Sequence, residues 1–386
     1  MLNNNTLLSK FKACLVGIEC DKHSLDRGYF ENEVSIDLPS DITPQPYMVF
    51  ITLVFLAEFE YFGKHEKQLW AIPIIYKSTP FLLAHRKFGF GIYAPKNDKL
   101  TNETLAKELI IKINNAIRYA EELIQPFVND QLNKGNITIT NNYIELDMMY
   151  RFFRTKARNA FNRKPPPKKI ISRDKDGKPT VWSGNPFKPQ REGFYYAVAT
   201  IDAFFSRLEH LLILSLPFVR FKKSSDYLPN IVSSNWTDKY KRIFNLKVDR
   251  LAMQYYDELK KIKDKYRNTL SHGFFEKDGG SLFFHFGPIG AIPVYLSKFE
   301  ETIHYSLFPI KESSFADICR LFDKIDKFLR TGKTKYAFKY AESGLPVSFS
   351  EKSVEEYRIA SGSDARFNSF LDHESYVADM YDNMDF

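Results

Sequence analysis

The segment Tyr266-Arg267-Asn268-Thr269-Leu270-Ser271-His272-Gly273 places an arginine five positions before a histidine, with a polar amide directly after the arginine. If the segment is α-helical, Asn268 and His272 stand at i and i+4 on one face, so the amide can orient the imidazole. Arg267 then lies about 100° around the helix, beside Asn268. Gly273 can take the left-handed conformation that ends a helix, which puts His272 in the last turn. There the negative end of the helix dipole favours the imidazolium. A group that changes charge near neutrality is suited to general acid–base catalysis.

A second arginine and histidine at similar spacing, Arg366 and His373, reads as coincidence, because Phe367 follows the arginine and the segment is polar and near the end of the chain. The Arg267–His272 segment differs in context: it ends a long amphipathic pattern and closes on Ser-His-Gly. It resembles the motif of the HEPN superfamily, in which an arginine and a polar residue precede a histidine by a few positions. Phe205-Ser206-Arg207-Leu208-Glu209-His210-Leu211-Leu212 resembles the early-helix element of some members, and the likeness covers about residues 191 to 340. In that family two motifs from two protomers meet across a two-fold axis. The resemblance implies a homodimer making a metal-independent cut, with the RNA 2′-hydroxyl attacking the adjacent phosphorus. His272 would be the acid or base, Asn268 its support, and Arg267 the group that holds the phosphate. It also implies a toxin or an abortive-infection defence against phage, answering a phage-derived trigger or held by an antitoxin partner. The competing reading is a non-catalytic HEPN dimerisation and RNA- or partner-binding protein, in which Arg267 pairs with an acid such as Glu209 and His272 caps a helix.

No metal site and no cofactor are expected. The other histidines form no ligand-spaced pair with each other or with cysteine, and Gly89-Phe90-Gly91 lacks the lysine and helix start of a phosphate loop. Cys14, Cys20 and Cys319 are too few and too scattered for a disulfide framework.

The elements that must position the motif follow from periodicity. Val248 to Leu270 carries apolar residues close to the 3.6-residue period, and Phe194 to Leu216 is apolar on most sides, so both read as helices. Ser314 to Arg330 is expected as a further helix capped by Ser313 or Ser314, and Ser281 to Phe286 with Ala291 to Leu296 as an inserted hairpin. In the N-terminal part, Val34 to Leu38, Leu69 to Ile75 and Phe88 to Tyr93 read as strands, and Asn102 to Val128 as a helix capped by Thr101 or Asn102. Ile137 to Thr140 and Tyr143 to Leu146 read as a hairpin turning on Asn141-Asn142. The expected class is α+β: an N-terminal α/β domain, residues 1–163, followed by a mainly α-helical HEPN-like bundle, residues 191–345, with an inserted β-hairpin.

Between them, residues 164–190 hold Pro165-Pro166-Pro167 and three further prolines among basic residues, the composition of a linker. From Arg151 to Arg191 there are 13 Lys and Arg against Asp174 and Asp176. This +11 in a chain of net charge +8 leaves the remainder at −3. Lys164, Lys168, Lys169 and Arg173 are therefore candidates for contacts to RNA phosphates. Residues 346–386 are expected to be a tail, mobile and acidic at its end, where Leu371 to Phe386 holds five acids and no Lys or Arg.

At 386 residues and 44% hydrophobic content the chain is expected to bury two cores. Its longest apolar run, Tyr47 to Ala57, is short of the roughly 20 residues of a membrane span, and no secretory signal is read at Met1-Leu2-Asn3-Asn4-Asn5. A cytoplasmic protein is expected.

Overall fold

The structure, a computed structural model, describes residues 4–21, 33–96, 99–167, 169–183, 185, 187–221, 226–268, 283–287, 290–293 and 310–386. The architecture is mixed α+β and divides into two compact units, Met1–Asn133 with Asp372–Phe386, and Lys134–Leu371. The division thus falls some 30 residues before the linker at 164–190, because residues 134–163 pack within the second unit.

The first unit holds helix α1 (Asn4–Leu15), strands β1 (Ile18–Cys20) and β2 (Glu33–Ile36), α2 (Pro46–Phe50) running into a π turn at Ile51–Leu56, strands β3 (Gln68–Tyr76), β4 (Thr79–Arg86) and β5 (Gly89–Pro95), and helices α3 (Lys99–Leu123) and α4 (Gln125–Asn133). The strands form one sheet in the order β1-β3-β4-β5-β2, antiparallel throughout. This corrects the α/β expectation: β3 and β4 are joined by Lys77-Ser78 alone, both at positive φ, and β4 and β5 by Lys87-Phe88. A crossover to a parallel neighbour needs a dozen or more residues. Trp70, Ile72, Ile74, Phe81, Leu83 and Ile92 alternate onto one sheet face and pack with Ala106, Leu109, Ile110, Ile113 and Ala116 of α3 in a single core.

The second unit is built on β6 (Thr138–Ile139), α5 (Tyr143–Phe161), the hairpin β7 (Lys169–Arg173) and β8 (Pro179–Ser183), the 32-residue α6 (Lys188–Val219), α7 (Leu228–Ser233), α8 (Trp236–Ile243) and α9 (Arg250–Ile262). After α9 come a π turn at Lys263–Asn268, the hairpin β9 (Phe283–Phe286) and β10 (Gly290–Pro293), α10 (Glu312–Thr331), α11 (Lys335–Glu342), β11 (Val347–Ser348), α12 (Glu351–Ala360) and α13 (Asp364–Asn383), whose residues from Asp372 belong to the first unit. Helix α6 is buried along most of its length, as its near-continuous apolar sequence demands, and α5 packs along it. Gly193 lets the start of α6 meet the end of α5: a Cβ there would fall 2.5 Å from the Phe161 ring. Phe204 stacks on Phe322 of α10 with ring centroids 3.6 Å apart, so α6 is held on that side too.

Several expectations are corrected. The hairpin read at 137–146 is a short strand followed by the start of α5. β6 pairs with β11 (Ile139 opposite Val347), and the Asn pair serves the helix. The Asn141 Oδ1 accepts from the Tyr143 N–H at 3.0 Å, while its amide donates to the carbonyls of Ala341 (3.0 Å) and Leu345 (3.1 Å). Asparagine suits a helix start as well as a tight turn, and only the partners nearly 200 residues away decide between them.

The acidic C-terminal residues are helical, not a mobile tail. Lys87 donates to the Asn383 side chain at 3.0 Å, Lys67 pairs with Asp385, and the Lys64 ammonium lies 3.9 Å from the centre of the Tyr381 ring. Contacts with lysines of the same unit thus hold the end of the chain in place. The helix caps also move: α10 starts after Lys311 with no side-chain cap, and α3 starts at Lys99, with the Asn102 amide donating to the Pro95 carbonyl at 2.8 Å.

Candidate functional site

Helix α9 opens on Asp249, whose carboxylate accepts from the Ala252 N–H at 2.9 Å. Tyr255, Leu259, Ile262 and Tyr266 are buried at alternating four- and three-residue steps, so the inward stripe continues past the end of the α-helix. From Lys263 to Asn268 the backbone is π-helical and packs against α6. The Lys263 ammonium sits 5.5 Å from the centre of the Phe205 ring and 5.7 Å from that of Trp236, which fixes the turn on the second unit's core.

Arg267 and Asn268 are thus the last two residues of a π turn, and their side chains and all of His272 lie outside what the structure describes. π turns pair i with i+5 and occur mostly as single turns, frequently at functional sites. The i, i+4 alignment of Asn268 with His272 presumes α-helical geometry, and the backbone at Asn268 departs from it. Glu209, the acid proposed as a structural partner for Arg267, receives a hydrogen bond from the half-buried pair's other member, Lys239 Nζ, at 3.0 Å.

The second unit also holds a buried charge cluster between α5, α6 and α10. Arg207, in the mostly apolar stretch of α6 from Phe194 to Leu216, donates Nη2 to both carboxylate oxygens of Asp326 at 2.6 and 2.7 Å and Nη1 to Asp147. Its guanidinium lies 4.4 Å from the centre of the Tyr150 ring. Burial opposes charge on all three groups. On Asp147 it is overcome by hydrogen bonds from Arg151 and Arg207, which hold that carboxyl below the usual range. On Asp326 burial prevails and pushes the carboxyl up against the pull of Arg207. A parallel bidentate pair, Arg154 with Asp323 at 2.5 and 2.7 Å, ties α5 to α10 one turn away. The sequence offered one signal for this cluster, the one arginine in the apolar stretch from Phe194 to Leu216. Its partners on two distant helices had none.

His210, three residues on, explains how α5 begins: its Nε2 accepts from the Asn142 backbone N–H at 3.0 Å. A ring nitrogen that accepts must be unprotonated. Burial lowers the His210 pKa, so the neutral ring is the folded form, and burial does the same to His85 in the first unit. With the folded value depressed, this stability is complete above the ordinary value of about 6.5 and is lost as pH falls through it. Urea unfolding at pH 7.5 and 5.5 should show the acid-side loss shrinking in His210→Gln by on the order of 1 kcal/mol, since the amide oxygen still accepts but does not titrate. An acid-side loss of the same size in both proteins would refute the assignment.

Of the candidate phosphate contacts, Lys164 is exposed within the proline run, Lys168 lies outside the described residues, and Lys169 and Arg173 begin and end β7. The stretch is therefore not a linker throughout: part of it is a β-hairpin, whose loop the Asp174-Lys175-Asp176-Gly177 sequence makes. Asp174 Oδ1 accepts from the N–H groups of Asp176 (3.0 Å) and Lys178 (2.8 Å), the Gly177 N–H donates to the Asp174 carbonyl at 3.1 Å, and Gly177 has φ of +76°. This is a tight turn followed by a left-handed glycine, and Asp-Gly between two runs of β-formers was the legible signal for it. Arg173 closes the loop by donating to the Gly177 carbonyl at 2.7 Å.

Among the described residues, no three His, Cys, Asp or Glu side chains are grouped to hold a metal ion, and no helix is long and apolar enough to cross a membrane. No family model, curated protein or solved structure matches the chain.

Proposed function

We propose that the chain is an endoribonuclease of the HEPN type, acting without a metal as a homodimer in the cytoplasm. The observation that carries this reading is the Arg267-Asn268-x-x-x-His272 motif at the end of α9, where the helix gives way to a π turn anchored on α6. On this reading the RNA 2′-oxygen attacks the neighbouring phosphorus while a histidine takes its proton. The 5′-oxygen leaves with a proton from the acid, giving a 2′,3′-cyclic phosphate and a 5′-hydroxyl. His272 supplies the acid or base, Arg267 steadies the charge on the phosphoryl oxygens, and each motif is completed by its dimer mate. The first unit would sense a trigger, and the biological setting proposed is a toxin or abortive-infection defence against phage, with a phage-derived activator or an antitoxin as further partner.

The test is incubation of the purified protein with total RNA in EDTA. Cleavage is expected to persist and to leave 2′,3′-cyclic phosphate ends, whereas strict dependence on Mg²⁺ or 3′-hydroxyl products would sink the mechanism.

A further inference from the structure

On α5 the residues Met148, Arg151, Phe152, Thr155, Lys156 and Asn159 follow the i, i+3, i+4, i+7, i+8, i+11 pattern of one helix face, and all six are exposed. Phe152 is 54% exposed, and the Lys156 ammonium lies 5.3 Å from its centre. Beyond Glu145 the exposed charges of this face are one-sided. Asp147, the last acid of α5, pairs with Arg207 and with Arg151 Nε at 2.5 Å, which leaves the Arg151 side chain 68% exposed, and from there to Asp174 the sequence contains no acid.

The face does not stop at the helix end. Past the helix end come Arg163, paired with Glu192 at 2.8 Å, the exposed Lys164, and then the basic hairpin of β7 and β8, so the basic sequence continues along the chain. From Met148 to Phe161, the end of α5, the helical rise amounts to about 20 Å. The face carries apolar side chains besides Phe152, namely the exposed Met148 and Met149 and the edge-on ring of Phe153, but from Arg151 to the helix end its exposed charges are all cations. A polyanion with planar bases fits it: phosphates meet the Arg and Lys side chains and a base lies on the ring.

We propose that the exposed face of α5 is a docking track for single-stranded RNA, with Phe152 as the stacking platform and Arg151 and Lys156 as phosphate contacts. The inference rests on the RNA-cleaving reading only for its choice of RNA. The strand is single because a base within a duplex is already stacked on its neighbours and cannot lie on Phe152.

The test is fluorescence anisotropy of a labelled 15-nucleotide oligouridine with the full chain carrying His272→Ala, so that nothing is cut, across several salt concentrations. Phe152→Ala is expected to weaken binding about 5- to 100-fold with the salt slope unchanged, and Phe152→Trp to restore it. Arg151→Gln with Lys156→Gln should instead flatten the slope of log affinity against log salt by about 1.4, or 0.7 per contact. The four-site variant at Lys164, Lys168, Lys169 and Arg173 reports separately on the hairpin side. Duplex RNA should bind with no sensitivity to Phe152. Unchanged oligouridine affinity in Phe152→Ala, no binding by the parent, or a change in sedimenting mass in Phe152→Ala would each overturn the proposal, the last by making this face a protein contact. Loss of binding in Phe152→Ala with no RNA cleavage by the unmutated chain would leave the track standing and remove the nuclease reading.

Discussion

Alanine at His272 is expected to slow RNA cleavage by about 10²- to 10⁴-fold, the usual worth of a positioned acid–base group, with no change in the unfolding transition. Arg267→Ala should lose a comparable factor, because a guanidinium that meets the phosphoryl oxygens contributes where charge gathers in the transition state. Asn268→Ala should fall less than either, since on this reading the amide orients the imidazole and does not replace it. The measurement is single-turnover cleavage of an end-labelled RNA by each variant, with circular dichroism melts alongside. Near-parental rates in His272→Ala would remove the site assignment. Equal and complete loss in Asn268→Ala would give that amide a direct role. The π turn adds a discriminating case: Ala inserted after Ile262 should change the direction in which Arg267 and Asn268 project from the turn after α9, and so should cost activity without touching any member of the motif.

Arg207→Ala is expected to destabilise the second unit by about 3–5 kcal/mol. The arginine is buried, and its removal takes from Asp326 the bidentate cation it now has and leaves Asp147 with Arg151 alone. Burial already pushes the Asp326 carboxyl up, so in the variant it should take up a proton, and the penalty should ease as pH falls and grow as pH rises. Replacing the cluster as a whole, Arg207→Met with Asp147→Leu and Asp326→Leu, should recover most of the loss, because apolar side chains of similar volume carry no desolvation cost. Chemical denaturation at two pH values checks both statements. A midpoint in Arg207→Ala within error of the parent would show that the pair contributes nothing measurable.

The sequence by itself determined the elements whose signal is local. Ala106, Leu109, Ile110, Ile113 and Ala116 repeat at helical spacing and form the buried stripe of α3, and the apolar run from Phe194 forms α6. The strand patterns around Leu69 and Phe88 gave β3 and β5, and two short runs about Gly287 gave the hairpin of β9 and β10. β4 was missed although it lies between two of them, because Phe81, Leu82, Leu83 and Ala84 are buried on both faces of the sheet and so do not alternate. The motif at Arg267 was likewise legible as a pattern of residue types.

Tertiary structure decided what depends on distant partners. Ile139 became a strand by pairing with Val347, and Asn141 a helix start by binding the carbonyls of Ala341 and Leu345. Arg207 became the centre of a charge cluster because α5 and α10 bring two carboxylates to it. The acidic end of the chain is helical, and its last residues are held by Lys64, Lys67 and Lys87 of the same unit. The π turn at Lys263–Asn268 follows the same rule: the sequence keeps its apolar stripe in step through Tyr266, and it is the packing of that stripe against α6 that accommodates the wider turn in place of another α-helical one.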